Sequence, residues 1–465
     1  MSKVSNFRII KRLLEATRIR CLRRYATSNR NILTLHERGI FQNVFPEQYT
    51  PDLHSHLVKQ PQCMYCGFDP TADSLHIGNL LAVIALLHCQ RAGHNPIALI
   101  GGATAQIGDP TGRKTEREII DTKTIQHNVS AIRKSLKNII ENHELYFHNA
   151  QEKLPQIRIL DNAEWYDRLN VIEFLAKVGR RFRMTELIHK SSVVNRLNSP
   201  EGMSFTEFTY QIFQAYDWLH LYREYNCNIQ IGGNDQLGNI VAGYELISDT
   251  LNKRVFGLTV PLITTSSGEK LGKTAGNAIW LNGDKTSPYE LYQYFLNLSD
   301  VDSQSYISLF TFLPPNEIKD AINKYKKNPE ERFLQKKIAE SVVKLVHGVD
   351  GLESAIRCTK ALWEKSPESL ADLHESDLKM LFKNAAGAEM FLDPGTSILD
   401  VIVHAKCFGT PADAVNKIKA GGVYVNNRRV TEPHLVLIPG EHILPNNITI
   451  IRIGKKNHYV VRWRI

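Results

Sequence analysis

Two short segments about 190 residues apart carry residues suited to phosphate chemistry: His76-Ile77-Gly78-Asn79 and Lys270-Leu271-Gly272-Lys273-Thr274. The first follows an apolar run and opens a helical pattern. A helix N-terminus offers unpaired N–H groups and positive dipole, so anions are favoured there. His76 and Asn79, three residues apart, share one face and can both donate to a phosphate. Gly78 lets a nucleotide lie against the backbone. The second segment runs among Gly268, Gly272 and Gly276. Its lysines could reach a triphosphate, although it lacks P-loop spacing. A third set, Tyr210, Gln214 and Asp217, falls at i, i+4 and i+7 on one helical face. Asp69 and Asp109 each precede a proline, a common place for a turn residue.

Positioning these groups requires a scaffold. From Met64 to about Leu262 short apolar runs alternate with helical patterns. Met64–Phe68, Pro96–Ile100, Ile157–Leu160, Ile229–Ile231 and Leu258–Ile263 read as strands; Leu80–Arg91, Lys123–Asn142, Val171–Gly179 and Phe205–Tyr225 read as helices. Such alternation predicts a parallel sheet covered on both faces, with ligands at the carboxyl ends of its strands. Gly67, Gly101-Gly102 and Gly232-Gly233 fall there. The polar, helical stretch of about 116–199 interrupts the alternation and is expected to be an insertion that packs on a second subunit. No strand signal remains over 287–384. A helix is expected from Pro329 to a close at His347-Gly348, and a linker over 387–397. Beyond it come a basic helix at Pro411–Ala420 and two hairpins, Val423–Val430 and Thr449–Ile465.

The formal charge is +9. Residues 1–30 hold nine Lys or Arg against the single acid Glu15, so the body is close to neutral. An arginine-rich, acid-poor, amphipathic start reads as a mitochondrial transit peptide. A basic arm that binds nucleic acid is the alternative. Positive charge gathers again between Lys406 and Ile465, suggesting contact with a phosphate backbone. Seven scattered cysteines argue against a disulfide framework. Cys63-Met64-Tyr65-Cys66 has neither the second pair nor the histidine that zinc would need. No apolar run approaches the roughly 20 residues that span a bilayer.

Longer segments tie these features together. They are Tyr65-Cys66-Gly67-Phe68-Asp69-Pro70-Thr71-Ala72-Asp73-Ser74-Leu75-His76-Ile77-Gly78, Gly101-Gly102-Ala103-Thr104 with Ile107-Gly108-Asp109-Pro110-Thr111-Gly112, Ser204–Tyr210 running on to Gln214–Asp217, and Gln230–Gln236. In this order they resemble the tyrosyl-tRNA synthetases of the bacterial and organellar type, over about residues 60–350 and more loosely in an S4-type C-terminal module. The resemblance implies an α/β fold: a leader (1–35), a Rossmann-like parallel-sheet catalytic domain (36–286), an α-helical anticodon-side domain (287–386) and a small α+β S4-like RNA-binding domain (393–465). It implies tyrosine, ATP with Mg2+ as counter-ion, and tRNA(Tyr) as partners, a homodimer, no protein-held metal, no membrane, and the mitochondrial matrix.

Residue roles follow from the same resemblance. Tyr65 and Asp217 would bracket the substrate phenol, a pair that phenylalanine would leave unsatisfied. Asp109, Tyr210 and Gln214 would hold the α-ammonium, and Gln236 the carboxylate or carbonyl. Cys66, Gly67, Asp69, Gly78, Gly233 and Asp235 would contact ATP, with Asp235 on the ribose. His76, Asn79, Lys270, Lys273 and Thr274 would stabilise the pentacoordinate phosphorus. Asn79 stands where a second histidine is usual, and Leu271-Gly272 where the class often has Met-Ser. The competing readings are the tryptophanyl enzyme and an RNA-binding or RNA-chaperone protein that has lost catalysis. Tyr65 with Asp217 argues against the first; the joint presence of His76, Asp109, Asp217, Lys270 and Lys273 argues against the second.

Overall fold

A computed structural model describes residues 30–113, 115–148, 153–263, 273–274, 277–363, 367–381, 386–454 and 457–464. The expected leader lies outside them up to residue 29. Residues 30–35, expected to belong with it, are instead packed: a 3-10 turn spans Ile32–His36 with Ile32 and Leu35 buried, and His94 bonds the Arg30 carbonyl at 2.7 Å.

The described chain forms two compact units. The first comprises the chain up to Thr286 together with Leu296–Val346. Its sheet has six strands: β1 (Asn43–Phe45), β2 (Cys63–Phe68), β3 (Asn95–Ile100), β4 (Arg158–Asp161), β5 (Cys227–Gly233) and β6 (Phe256–Val260). The order is β1-β6-β5-β2-β3-β4. β2 to β6 run parallel, and β1 adds an antiparallel edge against β6. Three residues with mixed burial gave β1 no period-two signal in the sequence.

The strand order reverses direction between β2 and β5. That is the topological switch point, where the carboxyl ends of neighbouring strands diverge and leave a crevice. Ile77–Arg91 leaves the end of β2 almost wholly buried, with ten of its residues in the core. Phe205–Tyr225 begins at Ser204, whose hydroxyl accepts the Glu207 N–H, and ends at Asn226 in the left-handed conformation, φ 51°. Its Trp218 is fully buried among Tyr65, Leu219, Ile240 and Leu246. This packing fixes one face of the helix against the sheet, leaving Tyr210, Gln214 and Asp217 to line the crevice.

In the helical part, the start expected at Pro329 is a 3-10 turn, Pro329–Glu331. Arg332 then turns left-handed at φ 53°, and the long helix begins at Phe333. Gly348 breaks its geometry at φ 72°, as the sequence suggested, yet helical structure resumes to Trp363.

The second unit comprises Ser287–Phe295 and His347 onward. Its five-stranded sheet runs Arg428–Val430, Val423–Val425, Ile448–Ile453, Asn457–Arg464 and Ala386–Phe391 in spatial order. The expected linker over 387–397 is therefore partly a strand. Ala388 and Met390 face the core while Glu389 and Phe391 are exposed, an alternation that Gly387 and Asp393-Pro394-Gly395 obscure in the sequence. Ile398–His404 and Pro411–Lys419 cover one face of the sheet. Leu444, Ile448 and Ile450 join Cys358, Leu370 and Leu378 in a second cluster. Among the described residues no helix is long and apolar enough to cross a membrane.

Candidate active site

The crevice holds a cavity of about 520 Å3. Its walls include Tyr65, Cys66, Gly67, Asp69, His76, Gly78, Asn79, Asp109, Tyr210, Gln214, Asp217, Gly233, Asp235 and Gln236. Residues from β2, β5, two helices and the loop after β3, separated by as much as 171 positions, thus meet at one place. Lys270 lies outside the described residues. Lys273–Thr274 is described as backbone, paired antiparallel with Asn277–Ala278.

At the cavity wall that carries the helix N-terminus, His76 is the N-cap of Ile77–Arg91. Its Nδ1 accepts the Gly78 N–H at 3.0 Å, and Asn79 Oδ1 accepts the His76 N–H at 3.1 Å. Because Nδ1 is the acceptor, a neutral imidazole carries its proton on Nε2 and offers a donor there. Asn79 likewise spends its oxygen on the cap and keeps its amide N–H groups as donors. Gly78 has an intramolecular reason besides nucleotide approach: a Cβ there would lie 2.7 Å from His76 Cε1. The chain returning from the lysine segment is tied to the same turn. Ile77 N–H donates to Ile279 O at 2.9 Å and Leu281 N–H to Leu75 O at 2.8 Å.

The opposite wall of the cavity is a polar network in an apolar setting. Asp217 is 3% exposed. It accepts from Asn162 Nδ2 at 3.0 Å and from Trp165 Nε1 at 2.9 Å. Tyr65, 1% exposed, has a hydroxyl with no protein partner among the described residues. Tyr210 donates its O–H to Asp69 Oδ2 at 2.7 Å, and Asp69 Oδ1 accepts from Thr104 at 2.8 Å. Asp109 Oδ2 accepts from Gln236 Nε2 at 2.7 Å. Asn239 bridges Gln214 and Gln236 at 3.0 and 3.1 Å. Asp69, expected on ATP, is thus also the anchor of Tyr210.

Several lining residues carried no signal in the sequence. Asn162 is fully buried, accepts from the Ala103 N–H at 2.7 Å and also donates to Thr104. It and Trp165 follow β4 in a short connection with no motif spacing; only three-dimensional adjacency to Asp217 identifies them. Arg113 and Arg117 also line the cavity, and Arg117 Nε donates to Asp109 O at 3.2 Å. Their charge in the Gly112–Glu118 stretch could have been noticed.

Burial pushes the Asp217 carboxyl up to about 7, against the lowering effect of its hydrogen bonds from Asn162 and Trp165. Burial likewise pushes Asp69 up to about 6, with the Tyr210 and Thr104 hydrogen bonds opposing it. Tyr65 is held well above the ordinary phenol range by burial and by Asp217, and burial pushes the Cys66 thiol up to about 12. A carboxyl raised in the folded state keeps a proton that the unfolded chain has lost. Its stabilising contribution is full below about pH 4 and is lost as pH rises through about 7. In urea unfolding across that window, the native chain should lose stability relative to Asp217→Ala as pH rises. Parallel profiles for the two would contradict the assignment.

The family described as tRNA synthetases class I (W and Y) matches residues 58–364, and the tyrosine–tRNA ligase SYY-like C-terminal domain matches residues 377–461. A mitochondrial tyrosine–tRNA ligase of Drosophila melanogaster is 50% identical over 441 residues, 94% of this chain and 95% of that one. One of Homo sapiens is 49% identical, covering 92% and 90%. The crystal structure of a C-terminally truncated Aspergillus nidulans mitochondrial tyrosyl-tRNA synthetase superposes with a TM-score of 0.65 at 32% identity, covering 71% of this chain and 93% of that one.

Proposed function

Since the chain belongs to the mitochondrial tyrosyl-tRNA synthetases, a class I family, we infer that tyrosine and ATP meet in the cavity between β2 and β5, and we assign its residues on that premise. The reaction is the ATP-dependent joining of tyrosine to its tRNA. One observation carries the amino-acid assignment: among the described residues the buried Tyr65 hydroxyl lacks a protein partner, in the same cavity that holds the Asp217 carboxylate. A buried hydroxyl without a partner is costly. A bound phenol supplies one, accepting from Tyr65 and donating to Asp217. Asn162 and Trp165 hold that carboxylate in place. Asp109, with the Tyr210 oxygen and Gln214 Oε1, gives the α-ammonium a negative surround.

The substrate carboxylate is already a nucleophile, so the first step needs no general base. It attacks the α-phosphorus of ATP and expels pyrophosphate. Catalysis is then positioning and charge stabilisation. His76 Nε2 and the Asn79 amide are aimed from the helix N-terminus, and Lys270, Lys273 and Thr274 are assigned to the same charge from the loop. Arg113 and Arg117 add positive charge at the phosphate side. Asp235 and Gly233 hold the ribose, Cys66 and Gly67 line its approach, and Gln236 orients the tyrosine carboxylate. ATP enters as its magnesium salt. In the second step a terminal adenosine hydroxyl of tRNA takes the tyrosyl group and AMP leaves.

Val171, Ile172 and Leu175 are 64, 70 and 51% exposed on the short helix Val171–Lys177. Such an apolar cluster supports burial against a second copy. Ile172→Glu should shift sedimentation toward a monomer; an unchanged dimer would contradict this placement. The mitochondrion is the compartment named for the relatives, and the arginine-rich residues 1–30 support the matrix. The C-terminal module is assigned to the tRNA backbone. Lys417 and Lys419 are exposed on Pro411–Lys419. Reversing both to Glu should raise the KM for tRNA about tenfold or more while pyrophosphate exchange stays near native. Equal loss of both activities would refute a separate RNA-binding role.

A further inference from the structure

The reaction uses no thiol chemistry, yet two cysteines stand opposite each other at the amino ends of β2 and β5. Cys63 and Cys227 are register partners in that parallel pair, and the ladder shifts register immediately after them. Neighbouring strands lie about 4.8 Å apart, inside the roughly 4.4–6.8 Å Cα separation that a disulfide spans. In a parallel pair, side chains at paired positions project to the same face. Cys63 is partly exposed and Cys227 fully buried. The Cys227 S–H donates to Ile229 O at 3.7 Å, and the Cys63 and Cys227 thiols are close enough to influence each other's ionisation. Arg158, at the start of β4, adds positive charge near Cys63.

A partly exposed cysteine near a cation, backed by a second thiol, is the arrangement of a redox-responsive pair. The other cysteines of the same sheet region differ. Cys66 and Cys89 are buried, and burial raises both thiols. Cys63 is instead lowered from the ordinary thiol range, by the Cys227 hydrogen bond first and by Arg158 in addition.

We propose that Cys63 and Cys227 are a peroxide-sensitive dithiol that closes to a cross-strand disulfide between β2 and β5. The Cys63 thiolate attacks one oxygen of hydrogen peroxide. An S–O bond forms, the O–O bond breaks, and hydroxide leaves, so the sulfur is oxidised by two electrons to a sulfenic acid. Cys227, giving its proton to that hydroxide, attacks the sulfenyl sulfur. The S–S bond forms, the S–O bond breaks, and the departing hydroxide takes up a proton. The balance is two thiols and one peroxide to one disulfide and two waters. The bridge would tie the two strands that border the catalytic crevice, two residues before Tyr65 in β2.

The test treats the full chain with hydrogen peroxide, blocks remaining thiols by alkylation and maps peptides without reduction. The expected product joins the Cys63 and Cys227 peptides with loss of two hydrogens, ahead of any other cross-link among the described cysteines. Cys63→Ser should slow peroxide-dependent loss of thiols about tenfold. Cys227→Ser should leave Cys63 as a sulfenic acid that a 1,3-dione captures. No linked peptide in the native chain, with Cys63 carried on to sulfinic acid, would overturn the proposal. So would other cysteine pairs linking equally well, or a Cys63 that resists peroxide in Cys227→Ser. The native-chain arm decides even where a variant does not fold.

Discussion

Asp217→Ala is expected to lower kcat/KM for tyrosine about a thousandfold while lowering the much weaker use of phenylalanine less than about tenfold. The carboxylate accepts from Asn162 Nδ2 at 3.0 Å and from Trp165 Nε1 at 2.9 Å, and in the assigned complex from the phenol as well. A hydrogen bond to a charged group is worth about 1.5–3 kcal/mol, and each donor left unsatisfied costs about 1–3 kcal/mol. Losing the phenol contact and disordering its support together come to about 4 kcal/mol, or about three powers of ten. Phenylalanine never makes the phenol contact, so it loses only what comes from the disordered wall. The check is pyrophosphate exchange with each amino acid, using variant protein whose urea transition shows that it folds. An equal fall for both substrates would make Asp217 a wall residue without a role in selection.

His76→Ala should reduce kcat for adenylate formation about 10²–10³-fold and change tyrosine affinity by less than about threefold. The side chain has two separable functions. Nδ1 caps the helix through Gly78, and loss of such a cap costs about 1 kcal/mol of stability. Nε2, the ring nitrogen that carries the proton in this tautomer, is assigned to charge that develops on phosphate. Only the second function bears on the transition state, so the loss belongs in kcat rather than in ground-state binding. Single-turnover adenylate formation measured beside equilibrium tyrosine binding separates the two. A large rise in the tyrosine dissociation constant with little change in rate would contradict the role.

The sequence disclosed the site unevenly, for identifiable reasons. Tyr210, Gln214 and Asp217 were legible as a face because a helix repeats every 3.6 residues and all three lie on Phe205–Tyr225. The His76 turn was legible as an anion site because a strand leads into it and a helix leaves it. The strand order was not, since periodicity says which segments are strands and nothing about which are neighbours. The switch point between β2 and β5 is a property of the sheet alone. Asn162 and Trp165 were invisible for a related reason: one amide and one indole in a short connection resemble any loop until Asp217 is placed beside them. Gly387 and Pro394 punctuate Ala386–Phe391 so strongly that a paired strand read as a linker. In each case local chemistry was readable and the contacts between distant segments were not.

In the proposed site one cavity activates tyrosine with ATP before any tRNA arrives. Exchange of labelled pyrophosphate into ATP, run without tRNA across the amino acids, tests it most directly. Exchange should depend on tyrosine and be weak with phenylalanine and tryptophan. Well-folded protein that exchanges nothing with tyrosine, or exchanges equally well with tryptophan, would contradict it.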